Sequence, residues 1–397
     1  MDILIISHFG STYSDTDNDR FLYLAKELAK KNDVEIVTSS FCHEKKIHRS
    51  KAEKEWTFKI TFLEEPGYKK NVCLKRFYSH FKWGRKLKNY LNNRKKPDVI
   101  YCAIPSLTGP RYAMKYCKKN NVRYIVDVQD LWPESFQMVI NVPVISNMFF
   151  YPFKIFANSI YKQADAVVAV SKTYVERVLS VNKSVTEGLP VFLGTNIDEF
   201  DSNIKPNNFL SKNSDEIWLA YCGTLGTSYD ISCVIDALAL LKSRKCVVPK
   251  FIVMGDGPYK EKFEAYANEQ KIDALFLGRV PYNRMCSILS QCDITINPIV
   301  GSSVASIINK HADYAASGLP VINTQNSNEY KALVDLYRMG INVESGNKIK
   351  VATAIQKLCD DSNLRIRLGT GARKCAMQQF DRKTTYKKII NLICKWD

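Results

Sequence analysis

The chain has 397 residues, 46% apolar and 24% charged, which is ordinary for a globular protein and enough for about two or three domains with cores of their own. Its net charge of +17 asks for an anionic partner: a nucleotide, a nucleic acid or an acidic membrane surface. Twelve cysteines with no CxxC pair and no His/Cys cluster at zinc spacing argue against a disulfide scaffold or a zinc module and read as reduced thiols of a cytosolic protein.

The opening MDILIISHFG lacks a basic n-region and a cleavage site, so it reads as a strand and not as a signal peptide. Asp2–Phe9, ending at Gly10, has the pattern of a buried parallel strand. After the loop Ser11–Asp19, Phe21, Leu24, Ala25 and Leu28 recur at helical spacing, with Asp17 or Asn18 as the cap. Val34–Ser39 follows as a second strand, which makes a Rossmann-like start. The acidic run DTDND admits a metal loop or a solvated helix cap. An EF-hand counted from Asp15 would need glycine and glutamate where Arg20 and Lys26 stand, so the cap is preferred and no metal is expected.

Between Gly67 and Lys96 there are eleven Lys/Arg, no acid, and interleaved aromatics. Lys75–Leu91 places Phe77, Phe81, Gly84, Leu87, Lys88 and Leu91 near one face of a basic amphipathic helix. Such a helix can lie on anionic lipid, bind nucleic acid, or simply be a solvated face. Asp98–Ala103 and Tyr124–Val128 are further strands, and Ala164–Ser171 another. Ser135–Phe153 has nineteen residues without a charge, but Pro143 and Pro152 argue against a membrane span. An apolar lip at a bilayer and ordinary packing both remain open. A strand is expected within Val191–Phe200, and the polar stretch 201–215 reads as a linker.

The second half restarts with a strand at Ile217–Tyr221, then Gly223-Thr-Leu-Gly226-Thr-Ser-Tyr-Asp230, then Ile231, Val234, Ile235, Leu238 and Leu241 at helical spacing. Strand, glycine turn and helix is an arrangement that lets backbone N–H groups meet phosphate. Phe251–Met254 leads into Gly255-Asp-Gly-Pro258, which is not GxGxxG and gives no support for a dinucleotide fold. Strands at Ala274–Val280 and Asp293–Pro298 precede Gly301–Asn323. There Ser302, Ser303 and Ser306 stand at a helix start, and Asn309, Lys310 and Asp313 follow. A cation near that end suits a diphosphate, and a carboxylate one turn on suits ribose hydroxyls. Thr384–Trp396 is the last helix.

The segment Asp313-Tyr-Ala-Ala-Ser-Gly-Leu-Pro-Val-Ile resembles the E-[YA]-x-A-x-G-x-P-V-I segment of family-4 glycosyltransferases of the GT-B fold. Asp127-Val-Gln-Asp-Leu-Trp-Pro-Glu134 resembles the D-x-x-D-L-W-P-E segment of members that build bacterial surface polysaccharide, capsule or O-antigen. The resemblance implies an α/β protein of two Rossmann-like domains with parallel sheets facing a central cleft. They would span residues 1–200 for the acceptor and 216–378 for the nucleotide sugar, with 379–397 returning to the first. It implies donor binding by Gly223, Thr224, Gly226, Thr227, Ser306 and Asn309. The base would meet the backbone at Arg279 and Val280, and the ribose would meet Asp313. Lys310 would face the phosphates, and Gln129 and Asp130 the reacting sugar; Asp130 and Glu134 also read as loop-capping acids. This chain has Ala305 where the family has a first glutamate, Gln129 where many members have histidine, and Tyr229 and Asp230 where a cation often stands.

The implied reaction is retaining transfer from a nucleotide sugar to a lipid-diphosphate-linked glycan. It would take place at the cytoplasmic face of an anionic membrane, without metal or other cofactor and without nucleic acid. A nucleotide-sugar 2-epimerase of the same fold is the nearest alternative. A basic nucleic-acid-binding protein is favoured by charge alone.

Overall fold

The computed structural model describes residues 1–10, 19–49, 55–71, 73–137, 143–205, 210–301 and 307–395. The chain divides into two units, Met1–Phe192 with Tyr386–Asp397, and Leu193–Thr385. The division falls ahead of 201–215. Residues 201 and 202 close a helix, Ile197–Ser202, which Asn196 caps through the Glu199 N–H. The return to the first unit comes at Tyr386, later than residue 379.

In the first unit the strands are β1 (Asp2–Ser7), β2 (Asp33–Ser39), β3 (Phe41–Cys42), β4 (Ile47–His48), β5 (Lys59–Leu63), β6 (Val99–Ile104), β7 (Arg123–Val128), β8 (Ala166–Ala169) and β9 (Leu189–Pro190). Seven of them form a parallel sheet in the order β5-β2-β1-β6-β7-β8-β9, with β3 and β4 paired separately and antiparallel. The β6 strand is buried along its whole length, as a parallel sheet covered on both faces requires. Helix Arg20–Leu28 packs Phe21, Leu24 and Leu28 against Ile3, Ile5 and Tyr101. Its cap is Asp19, on the Leu22 N–H, and not Asp17 or Asn18, which lie outside the described residues. Helix Lys387–Cys394 contributes Ile389 and Ile393 to this same core. Each such side chain is worth about 1.5–3 kcal/mol when fully buried.

The basic segment is a helix, Leu74–Asn93, but rotated from the sequence reading. Ser79, His80, Trp83, Leu87 and Leu91 face inward, while Phe81 and Lys88 are exposed. The indole of Trp83 and the imidazole of His80 outcompete Phe81 for the interior. The uncharged stretch ends in helix Pro143–Tyr161, and no helix among the described residues is long and apolar enough to cross a membrane. The strand expected within Val191–Phe200 is only β9, placed just before it.

In the second unit, β10 (Trp218–Cys222), β11 (Lys250–Met254), β12 (Ala274–Phe276), β13 (Ile294–Asn297), β14 (Val321–Asn323) and β15 (Gly340–Asn342) form a parallel sheet. Its order is β12-β11-β10-β13-β14-β15. Helix Ile231–Ser243 buries its apolar side against this sheet, with Asp230 as cap on the Cys233 N–H. Both sheets are thus Rossmann-like. In each, the order reverses beside the first strand: at β1/β6 and at β10/β13. Ligands of open α/β sheets bind outside the carboxyl ends of the strands at such reversals.

Candidate functional site

Three loops meet at the carboxyl ends of β10, β11 and β12, joined by backbone hydrogen bonds. Gly223 N donates to Met254 O (2.9 Å), Leu225 N to Asp256 O (2.9 Å) and Gly255 N to Gly278 O (2.8 Å). A Cβ on Gly255 would meet the Gly223 carbonyl oxygen at 1.8 Å, so this approach is open only to glycine. Gly223 itself has φ 144°, a conformation that L side chains rarely adopt. Thr224 and Thr227 are exposed on the loop, and Gly226 O accepts from Tyr229 N. Arg279 is exposed and Val280 half-buried just beyond Gly278, so the sequence-predicted residues of both loops share one end of the sheet. Asp230 caps its own helix, accepting from Cys233 N (3.1 Å).

Lys310 reaches this loop from helix Asn309–Ala316. Its ammonium is buried and has no hydrogen-bond partner among the described residues. It lies over the rings of Tyr221 (4.6 Å) and Tyr229 (4.0 Å), and a Cβ on Gly223 would be 3.7 Å from it. Burial pushes its pKa down to about 7. Buried cations normally have a counter-charge, and here the ring faces stand in for one. The helix is fixed by His311, whose Nδ1 accepts from Ile308 N (3.1 Å) and whose Nε2 meets Asn297 Nδ2 (2.9 Å). The Asn297 amide starts a ladder through Asn323 to Asn342 across the ends of β13, β14 and β15.

Asp313 is buried one turn beyond Lys310. Its Oδ1 accepts from the Tyr282 hydroxyl (3.0 Å), which also meets Thr195 Oγ1 (2.7 Å). Burial raises its pKa to about 6 despite these bonds. At least one of its oxygens is therefore already engaged by the protein itself. Asn309 is exposed at the helix start. Ser302, Ser303, Ala305 and Ser306 lie outside the described residues.

In the first unit, Gln129 follows β7, its N–H donating to Ile104 O (2.8 Å) and its side-chain nitrogen without a hydrogen-bond partner among the described residues. Asp130 has both oxygens occupied, by the Trp132 indole (3.1 Å) and the Ser135 hydroxyl, and burial raises its pKa. It ties together two side chains of its own loop. Glu134 pairs with Arg177 through Oε1 (2.6 Å), while its Oε2 has no hydrogen-bond partner among the described residues. Asp127 forms a buried two-bond pair with Arg20 (2.7 and 3.2 Å).

Sequence reasoning passed over a buried cluster at the β1/β6 reversal. His8 Nδ1 meets Ser106 Oγ (2.6 Å), and His8 Nε2 meets Glu65 Oε1 (2.9 Å). Burial alone would raise Glu65, but His8 and the hydroxyls of Ser39 and Ser79 outweigh it and bring the carboxyl to about 2. His8 stacks on Trp83 at 4.1 Å and meets His80 edge-on at 4.6 Å. The available signal was positional: His8 and Ser106 each stand just past the end of an adjacent strand.

Residues 20–185 match the family described as Glycosyltransferase Family 4, and residues 216–361 match Glycosyl transferases group 1. Among solved structures the fold is similar to that of sucrose-phosphate synthase from Thermosynechococcus elongatus, with a TM-score of 0.77 and 16% identity over 98% of this chain and 97% of that one. The chain belongs to the GT-B glycosyltransferases. This glycosyltransferase is also similar to HepE of Anabaena, solved in complex with UDP-glucose, with a TM-score of 0.68 and 15% identity over 98% of each chain. An uncharacterized glycosyltransferase of Methanocaldococcus jannaschii is 25% identical over 251 residues. That alignment takes in 61% of this chain and 62% of the relative, under two-thirds of its length.

Proposed function

We propose that this glycosyltransferase moves a sugar from a nucleotide-sugar donor to a lipid-diphosphate-linked glycan in surface polysaccharide synthesis, with retention at the anomeric carbon. The observation that carries the reading is Lys310, a buried ammonium beside a glycine loop with no hydrogen-bond partner among the described residues. A donor diphosphate supplies the missing charge. Lys310, the N–H groups around Gly223–Thr227 and the hydroxyl of Ser306 stabilise that diphosphate as it leaves. The anomeric carbon–phosphate oxygen bond breaks and the acceptor oxygen takes its place. The acceptor's proton passes to the departing phosphate oxygen, so no protein base is needed. Gln129 donates to a sugar hydroxyl, and Asp313 accepts from the ribose. The HepE complex with UDP-glucose supports a nucleotide-sugar donor. The exposed cations of Leu74–Asn93 hold the enzyme at an anionic membrane from the cytoplasmic side.

The test is a panel of nucleotide sugars incubated with the purified protein without acceptor. Slow release of nucleoside diphosphate from one donor, abolished by Lys310→Ala in a protein that remains folded, is the expected result. Equal turnover by the variant sinks the reading. Release of a free epimer instead points to an epimerase.

A further inference from the structure

The first unit contains an aromatic cavity of about 510 Å³ that the transfer reaction leaves unassigned. That volume is within the range of about 300–1,000 Å³ typical of small-molecule pockets. Its walls are helices Leu74–Asn93, Thr108–Asn120 and Pro143–Tyr161. One region is apolar: Phe77 and Phe153 pack at 5.8 Å, with Phe81 and Phe156 beside them. Phe81 and Phe153 are 43% and 36% exposed, which is unusual for large rings with an interior to fill.

A second region is cationic. Arg111 lies over Phe156 at 4.4 Å, Lys115 is one turn further along the helix, and no Asp or Glu among the described residues lines the cavity. A third region is His80, stacked on Trp132 at 5.8 Å. His80 is 2% exposed and its Nε2 has no hydrogen-bond partner among the described residues. Its ring also contacts His8, so this end of the cavity adjoins the β1/β6 reversal.

We infer that this cavity holds the lipid end of the acceptor: the first isoprene units of a polyprenyl diphosphate among the phenylalanines, with its diphosphate on Arg111 and Lys115. The unbonded His80 nitrogen then meets a hydroxyl of the attached sugar. The inference rests on the lipid-diphosphate acceptor proposed above. An apolar chain with an anionic head matches each region in turn. A free nucleotide leaves the phenylalanines in water, and an uncharged chain leaves the two cations without a partner.

The experiment is a titration of the full chain with farnesyl diphosphate, read by tryptophan fluorescence, since Trp132 lines the cavity. Saturable binding is expected, with farnesol and inorganic diphosphate each at least tenfold weaker. The double variant Phe81→Ser, Phe153→Ser should bind farnesyl diphosphate at least tenfold more weakly while keeping the wild-type circular dichroism spectrum and melting profile. Arg111→Gln should weaken farnesyl diphosphate and not farnesol. The proposal is overturned if inorganic diphosphate binds as well as the farnesyl ester, if the double variant binds undiminished, or if phosphatidylglycerol vesicles displace the probe completely. It is equally overturned if sedimentation shows a dimer that the double variant dissolves, because a second copy then fills the cavity. Absent nucleotide-sugar hydrolysis in the wild type counts against the transferase reading and leaves this titration readable by itself.

Discussion

The Lys310 ammonium lies 4.0 Å from the centre of the Tyr229 ring, a contact that takes the place of a carboxylate. Its burial has a pH signature. The folded pKa is about 7 against an ordinary 10.5. Between those values the unfolded chain holds a proton that the native one lacks, so stability rises with pH across the window and the cost is complete below it. Lys310→Met removes that slope while leaving stability at pH 7 equal or higher. Urea midpoints at pH 7 and 9.5 measure it. A bound diphosphate restores the charge, so nucleoside diphosphate binding near pH 8 should take up a proton. Calorimetry in buffers of different ionisation enthalpy detects this.

Asp313 runs in the opposite sense. Burial raises its folded pKa to about 6 from an ordinary 3.8. The native state therefore binds the extra proton, and stability falls as pH climbs through that interval. Asp313→Asn keeps an acceptor for the Tyr282 hydroxyl and abolishes the fall. The variant should gain on the wild type between pH 4 and pH 7 in chemical denaturation. If the proposed ribose contact is made, its KM for the donor should rise.

Arg20 and Asp127 are a buried pair with two hydrogen bonds, supported by the Tyr101 hydroxyl on Asp127 and by Arg20's bonds to Val191 O and the Tyr386 hydroxyl. Arg20→Met leaves a carboxylate without its partner in the core and should cost about 3–5 kcal/mol. The loss will appear as a lower urea midpoint for the unit containing Trp83.

Lys82, Arg85 and Lys88 are exposed on helix Leu74–Asn93. Each basic residue near an anionic surface is worth about 1 kcal/mol. Replacing all three with glutamine should weaken binding to phosphatidylglycerol vesicles by about 100-fold at low salt. Co-sedimentation measures it, and unchanged partitioning would remove the membrane from the proposal.

The strands were legible because buried parallel strands are short apolar runs between turn residues, and β1, β6, β7, β10 and β11 all read that way. Their bounds shifted by a residue or two, as ends set by hydrogen bonding do. The glycine loop after β10 was legible through its glycines, whose need is local. The basic helix was legible as a helix but not in its facing. Which ring turns inward depends on neighbours such as Gly109, against which Trp83 packs and which lies far along the chain. The same holds for His8, Glu65 and Ser106. They come together only through sheet order, and no spacing in the sequence encodes it. The engagement of Asp130 by Trp132 and Ser135 is local, yet a motif match says nothing of which hydrogen bonds its acid makes.

Ile389 and Ile393 are fully buried in the core formed by the amino-terminal residues. During synthesis that core lacks two of its side chains until Ile389 and Ile393 have been made, whereas Leu193–Thr385 is one uninterrupted stretch. The unit made first is thus sealed after the second, and a message cut before the codon for Ile389 would yield a finished second unit attached to an unsealed first one.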